Sequence, residues 1–395
     1  MFKGFFLDIK EWTLETARIF RHEMSACLSD IGVLLFFLFL PLAYPIVYSL
    51  IYNPEVTRDM PVAVVDRSRT AMSREFVRHA DATEAISICG YAADLPEARR
   101  WMAEKKCFAV LEIPEDYTRK LLRAQQPQIQ FYCDMTLLLR YRTFLSSITE
   151  LQIATGAQIR ERAMSDLGMP SSGASENISS VGFAMGDTQQ GFASFIIPGI
   201  VILILQQSML LGIVLLGGTR QERRRLRGPL PWDSYSPSAQ IFGRALCYVL
   251  IYLPLSIYIL DFVPAFFNYP HHGNLLQYLL MVLPMLLATA MLGQTLNIMA
   301  SERESAFVII VFTSVAFLFL SGLTWPRYAM NGLFMLLGDF VPATWGLEGF
   351  VRINSNGGEL WQQSHAWTWL WLLTILYTAT AYLTVRLQTR RIVRR

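Results

Sequence analysis

The sequence predicts an α-helical membrane protein: six transmembrane helices with cytoplasmic N and C termini, a large extracytoplasmic α/β domain between helices 1 and 2, and re-entrant half-helices before helix 6. Three observations predict it. Only 16% of the 395 side chains are charged and 53% are hydrophobic, with a mean hydropathy of +0.34, whereas soluble domains carry about 25% charge. Six stretches, near 31–52, 192–217, 241–263, 275–299, 306–323 and 366–385, reach the roughly 20 apolar residues needed to cross about 30 Å of hydrocarbon. The residues from 53 to 190 are too polar for lipid and numerous enough for a domain of their own.

Residues 1–30 place Phe5, Ile9, Trp12, Thr16, Ile19 and Phe20 roughly on one side of a helix, with charges between them. That pattern suits an amphipathic helix lying along the cytoplasmic interface, its apolar face in lipid or against the bundle. The 31–52 stretch is an anchor rather than a cleaved leader, because Asp8, Glu11, Glu15 and Glu23 precede it and no small-x-small site follows. Short segments holding Lys and Arg alternate with segments nearly free of them. Residues 1–30, 218–239, 300–305 and 386–395 hold four, five, one and five, against none in 264–274 and two in 324–365. Both termini are therefore expected in the cytoplasm.

Within 53–190, "MPVAVVD" (60–66), "AISICG", "CFAVLEI" and "QIQFYCD" read as strands. The helical stretches 69–80, "LPEARRWMAEK" and "PEDYTRKLLRA" alternate with them, which implies an α/β layer. Leu138, Tyr141, Leu145, Ile148, Leu151 and Ile159 then recur at helical spacing, predicting a long amphipathic helix. "GMPSSGASENISSVG" reads as the loop back to the second span.

The second span, 192–217, runs into "GGTRQERRRLRG", where Arg220, Arg223, Arg224, Arg225 and Arg227 crowd around Glu222. An arginine at the bilayer centre costs roughly 2.5–3.5 kcal/mol, so this turn, 218–239, must lie outside the hydrocarbon. As a topology anchor it needs no further role. Arg244 and Asp261 stand at the two ends of the third span, and no ionisable residue lies mid-membrane. That disfavours an ion-coupled carrier, which needs relays or counter-charges there. The polar residues inside the spans are amides and hydroxyls, chiefly Gln206, Gln207, Gln294, Thr295, Thr313 and Ser314. Bonds between helices are their default use; Gln206, Gln207, Gln294 and Thr313 are the candidates for a translocation path. Prolines 41, 45, 198, 254 and 284 read as kinks. The segment 324–365 is apolar and aromatic but interrupted at Pro326, Gly332, Gly338, Pro342 and Gly346. Short half-helices dipping into the outer leaflet over 324–350 fit it, since broken backbone survives at membrane depth only when packed in protein or lining a cavity; an ordinary external loop is the alternative.

Several chemistries are excluded or unsupported. None of Lys3, Lys10, Lys105, Lys106 and Lys120 follows a glycine, so no G-x-x-x-x-G-K phosphate loop exists. No catalytic or metal-ligating constellation stands out: His271-His272 lacks a carboxylate or Cys at ligand spacing, and Asp66 reads as a turn residue. Cys89, Cys107 and Cys133 could supply one disulfide of unknown pairing. No cofactor is expected on this chain, and nothing points to nucleic acid.

With the parts placed, the chain resembles a type-2 ABC exporter permease nearly end to end. "MPVAVVDRSRTAMSREFVRHAD" and "CFAVLEIPEDYTRKLLRAQQPQIQFYCD" resemble the external domain of its drug-export branch. "FLSGLTWPRYAM" with "LLGDFVPATWGLEGFVRIN" resembles the signature ahead of its last span, and "GGTRQERRRLRG" sits where the family carries its coupling helix, with Arg-Arg-Leu-Arg in place of the usual Gly-Thr. The resemblance implies a multidrug-type efflux subunit of the inner membrane, dimeric with a second copy or a paralogue and working on separate ABC ATPase subunits that bind ATP and Mg. In a host with two membranes it implies a membrane-fusion adaptor and an outer-membrane channel. The ATPase-coupling residues would be Arg220, Glu222, Arg223, Arg224, Arg225 and Arg227. The outer gate would be Trp325, Pro326, Phe334, Phe340, Pro342 and Trp345. A second resemblance, to membrane-anchored surface modules of the phage-infection-protein group that bind a partner without transport, fits less well because their external segment is usually much longer.

Overall fold

The computed structural model describes residues 2–52, 58–123, 125–136, 138–166, 191–300 and 302–393. It divides into two compact units, Met1–Asn53 with Ala184–Arg395, and Pro54–Phe183. In the first unit, α1 (Phe2–Ser29) buries Ile19, Glu23 and Cys27, which recur every four residues and so share one face. Asp30 ends it and caps α2 (Ile31–Leu34), accepting from the Gly32 and Val33 N–H groups at 3.0 and 3.2 Å. A π-helical turn over Leu35–Phe39 joins α2 to α3 (Leu40–Tyr52), completing the first membrane-capable helix.

The second unit holds one four-stranded sheet, ordered β2-β1-β3-β4. Its elements are β1 (Met60–Asp66), α4 (Ala71–Asp81), β2 (Ile86–Tyr91), α5 (Leu95–Ala103), β3 (Ala109–Ile113), α6 (Tyr117–Leu122), β4 (Gln130–Cys133) and α7 (Leu138–Asp166). β1 pairs in parallel with β2 and β3, and β4 returns antiparallel to β3. β1 is buried on both faces, which is why it reads as a continuous apolar run. One face packs Phe76, Val77, Phe144 and Ile148 from α4 and α7, and the other packs Ala98 of α5. Helix α4 starts at Ala71 rather than Arg69 because Thr70 forms a capping box with Ser73. Asp66 is a turn residue: its carboxylate accepts from the Arg69 N–H at 2.9 Å and the Ser73 hydroxyl at 2.7 Å. Cys89, Cys107 and Cys133 are free thiols. The expected return loop at 168–182 lies outside the described residues.

The chain re-enters the first unit in α8 (Phe192–Arg227), whose 36 residues make a helix about 54 Å long. Its apolar window is 89% buried, and α3, α11, α12 and α14 pack on it. Gly212 allows the first span to approach, since a Cβ there would stand 2.0 Å from the Phe37 ring. The remaining helices are α9 (Pro237–Ile257), continued through a π turn at Tyr258–Phe262 into α10 (Val263–Phe266), α11 (Leu275–Leu296), α12 (Arg303–Leu320), α13 (Gly332–Asp339), α14 (Pro342–Asn356) and α15 (Ser364–Val393). Among the described residues, six helices are long and apolar enough to cross a membrane.

One boundary differs instructively from the sequence reading. The second span does not end at 217: helix continues through the arginines to Arg227, because Arg, Gln, Glu and Leu are strong helix formers outside lipid as well. Gly228 stops it at φ 84°. What reads as a separate turn, 218–239, is therefore the end of α8, a 3₁₀ turn at Pro231–Ser234 and the start of α9. In 324–350 the helix breaks between α13 and α14 because Pro342 forces Val341 into extended geometry (φ −92°, ψ 115°).

Candidate functional site

At the end of the membrane unit that carries the α8 arginines, the basic end, the six residues of the stretch separate into two groups. Arg220 and Arg224 face inward. Arg220 is 8% exposed, and its Nη1 donates to Glu23 Oε1 of α1 at 2.5 Å. The Tyr248 hydroxyl of α9 donates to the same oxygen, and Arg244 Nε stands 3.8 Å from the other. Burial alone would raise the Glu23 carboxyl. The guanidinium groups of Arg220 and Arg244 outweigh it, with help from the Tyr248 hydrogen bond, and hold it below its ordinary value. Arg224 grips Asp233 in the 3₁₀ turn, through Nε at 3.1 Å and through Nη2. Asp233 also accepts from the Leu230 N–H at 2.8 Å, so the connection after Gly228 is fixed.

Glu222, Arg223, Arg225 and Arg227 are exposed. Arg225 reaches Glu302 at 2.6 Å, with both side chains more than half exposed, a pairing worth little in water. α1 clamps this whole corner. Glu15 accepts from the Ser236 N–H at 3.0 Å and its hydroxyl at 2.7 Å, Trp12 Nε1 donates to the Ser238 hydroxyl at 3.1 Å, and the His22 and Trp232 rings lie 3.9 Å apart. Arg303 at the start of α12 holds both Asp30 oxygens, at 2.6 and 2.7 Å. The arginine bonds, ahead of the other causes, keep the Asp30 carboxyl below its ordinary range.

The candidate path residues also separate. Gln206 is fully buried, and its Oε1 accepts from the Ala343 N–H at 2.6 Å. Ala343 is the second residue of α14, so an amide on α8 satisfies one of the orphan donors at the N-terminus of α14. Gln207 turns elsewhere: both its amide atoms are buried without a partner. It lines a cavity of about 380 Å³ between α3, α8 and α12, with Tyr44, Tyr48, Phe307 and Ser314. Gln294 donates to the Ile241 carbonyl at 3.2 Å, tying α11 to α9, and Thr313 bonds back to Ile310 in its own helix at 3.0 Å. Neither Gln206 nor Gln294 nor Thr313 lines that cavity.

At the opposite, far end of the unit, the aromatic candidates do not form one cluster. Trp345 is 4% exposed; it stacks on Trp369 with centroids 5.3 Å apart, and its Nε1 donates to the Asp339 carbonyl at 2.9 Å. Arg327 lies over the same ring at 4.5 Å and pairs with Asp339. Pro342 is buried as the first residue of α14. Trp325, Phe334 and Phe340 are 58%, 54% and 46% exposed, and Pro326 is exposed ahead of a 3₁₀ turn. Tyr377 of α15 bonds the Phe340 carbonyl at 2.5 Å, bracing the break between α13 and α14.

Sequence reasoning missed Glu23, Tyr248, Arg244, Asp30 and Asp261 as partners. Glu23 and Arg220 are 197 positions apart, and His271 finds Asp261 at 2.9 Å across a helix end and a loop. A charged residue at the apolar boundary of a predicted interfacial helix was the available signal for Glu23.

A buried central helix that leaves the bundle as a row of exposed arginines, among six membrane-capable helices, marks a multi-pass membrane protein. The family model described as ABC-2 family transporter protein matches residues 31–383, and the chain belongs to that family. Members are membrane components of ABC transporters and are not themselves catalytic. No curated protein matches the chain.

Proposed function

We propose that this chain is the permease subunit of an ATP-binding-cassette exporter that moves hydrophobic or amphipathic substrates outward across the cytoplasmic membrane. The observation that carries the reading is the continuity of α8: one unbroken helix joins the exposed Glu222, Arg223, Arg225 and Arg227 to Gln206, which holds the N-terminus of α14. A separate ATPase, supplying ATP and Mg chemistry, grips the exposed arginines and the face of α1 beside them, on the cytoplasmic side. Because Glu23, Glu15 and Trp12 lock α1 to α8 and α9, ATP-driven closure displaces this corner as a block. A stiff helix transmits that displacement to Gln206, and α14 is released or reseated with it. α13 and α14 act as re-entrant half-helices of an outer gate, with Trp345 as the buried packing element and Trp325, Phe334 and Phe340 on its exposed side.

The cavity beside Gln207 is apolar with one amide, a lining that suits an amphipathic substrate. A second permease copy or a paralogue completes it on the α12 side, where Phe312, Val315 and Phe319 are exposed. The Pro54–Phe183 unit is the extracytoplasmic domain that hands cargo on, in a two-membrane host to an adaptor and outer-membrane channel. A surface module without transport is disfavoured, because the family match covers the spans and not only the inserted domain.

The test is copurification. An ABC ATPase should come down with the wild-type chain and be lost with the Arg223→Ala, Arg225→Ala, Arg227→Ala triple variant, which leaves the paired Arg220 and Arg224 untouched. Retention of the ATPase with normal export in that variant contradicts the coupling role.

A further inference from the structure

Beside the coupling corner, a cavity of about 290 Å³ opens between α1 and the last turns of α8. His22, Ser25, Ser29, Thr219, Arg220 and Arg223 contribute to its wall, as do Glu23 and Asp30. Both carboxylates are already engaged, Glu23 by Arg220 and Asp30 by Arg303. Arg244 shares the same Glu23 carboxylate from behind, so two buried guanidinium groups have one counter-charge between them. Arg223 adds a further positive charge at the exposed rim.

The geometry leaves donors over. Arg220 Nη2, of a residue in the cavity wall, has no hydrogen-bond partner although the residue is only 8% exposed; Arg244 Nε, of a residue outside that wall, has none either. Buried guanidinium N–H groups without an acceptor are costly, and their occurrence calls for a missing partner. In the wall, Arg220 and Arg223 with the hydroxyls of Ser25 and Ser29 form a donor set matched to phosphate oxygens; the Thr219 hydroxyl already donates to the Leu215 carbonyl. The position selects the source of that phosphate. The cavity lies where α1 passes into the first span at Ile31 and where α8 changes from Leu216 to Thr219 and Arg220, the level of lipid headgroups. The adjoining stretch of the first span carries an apolar groove of about 300 Å³ along Ile31, Leu35, Leu38 and Leu42, suited to an acyl chain.

We propose that this cavity is a binding site for the phosphate headgroup of an acidic membrane lipid, held by Arg220 and Arg223 with the hydroxyls of Ser25 and Ser29, and that the bound lipid supplies the counter-charge the corner lacks. The site is distinct from the Gln207 cavity, and its test needs neither an ATPase nor a transport substrate.

The full-length protein, purified in detergent, is exposed to equal amounts of phosphatidylglycerol and phosphatidylcholine, and the retained lipid is counted by native mass spectrometry with and without inorganic phosphate. One phosphatidylglycerol per chain should be retained in preference to phosphatidylcholine. Arg223→Gln should weaken its retention about fivefold, the effect of one basic residue near an anionic headgroup. Arg223 is exposed, so the variant should melt at the wild-type temperature, which separates loss of binding from loss of fold. Equal retention of the two lipids, or retention unchanged by Arg223→Gln, overturns the site. Full displacement of phosphatidylglycerol by inorganic phosphate, with phosphate bound in its place, keeps the anion site and overturns the lipid as its occupant.

Discussion

The two ends of the membrane unit are held together by different physics. At the basic end, ion pairs join helices far apart in the chain: Glu23 of α1 with Arg220 of α8, and Asp30 with Arg303 of α12. At the far end, the ion pairs around α14 are local, Arg327 with Asp339 and Glu348 with Arg352. There the distant elements meet through the Trp345–Trp369 stack and neutral hydrogen bonds: Gln206 to the Ala343 N–H, Tyr377 to the Phe340 carbonyl, and Asn354 with Tyr278 and the Pro270 carbonyl. Buried ion pairs are directional and expensive to leave half-made. Parallel rings 5.3 Å apart can slide with little loss, because stacking is broad in geometry. The contrast is that of a corner pinned by charge between distant helices and a segment joined by rings and neutral hydrogen bonds; in the proposed function the first moves as one piece and the second is reset.

The comparison breaks first at Glu23. Glu23→Gln leaves Arg220 and Arg244 buried against each other, and removal of one partner of a buried pair costs about 3–5 kcal/mol. Thermal unfolding in detergent should show a large loss, whereas Glu23→Met combined with Arg220→Met, which still leaves Arg244 without its counter-charge, should recover only part of it. Equal loss in the single and double variants would mean that packing, not charge, holds the corner. The same carboxyl gives the pH dependence. Its folded value lies below its ordinary one, so its contribution is present above the unfolded pKa of about 4.3 and is lost only as pH falls through the lower, folded value. The wild-type corner should stay closed from neutral pH down to the ordinary carboxylate range, monitored by protection of the buried Cys27 thiol one turn along from Glu23.

Trp345→Ala comes next. Removing a buried Trp costs about 3–5 kcal/mol where the site cannot collapse. Here Arg327 and Trp369 can move into part of the space, so the lower part of that range is expected, together with raised basal ATPase activity of the reconstituted complex. Trp345→Phe should restore most of the stability. A silent Trp345→Ala would return the segment to an ordinary surface loop. Gln206→Leu should cost less, about 1–3 kcal/mol, by leaving the Ala343 N–H unpaired in a buried place. Phe334→Ala should change stability by no more than about 0.5 kcal/mol, since the ring is more than half exposed. A large destabilisation there would show that this face is covered in the assembled transporter.

Much of this fold is legible in the sequence because its signals are local. Twenty apolar residues make a span wherever they occur, β1 reads as a buried run, and Pro342 breaks a helix by its own chemistry. The arginine stretch was legible as basic, but not as the last turns of α8, because arginine propensity does not announce where a span stops and its helix goes on. The division of its six residues into a buried pair and an exposed four was illegible: it depends on Glu23 and Asp233, which no spacing rule connects to them. Gln206 and Gln207 are adjacent, and sequence gave them one role. A helix turns by 100° per residue, so one caps α14 while its neighbour faces a cavity. In the aromatic segment the sequence marks four rings alike, whereas in this chain Trp345 is buried and Trp325, Phe334 and Phe340 are exposed.

The central claim is that α8 carries motion from the exposed arginines to α14 through Gln206. It is tested most directly in proteoliposomes holding the permease with its ATPase, by measuring ATP hydrolysis and substrate export together for wild type and for folded Gln206→Leu. The account predicts that the variant binds the ATPase and hydrolyses ATP at close to the wild-type rate while export per ATP falls several-fold. An unchanged ratio of export to hydrolysis in the folded variant would contradict it.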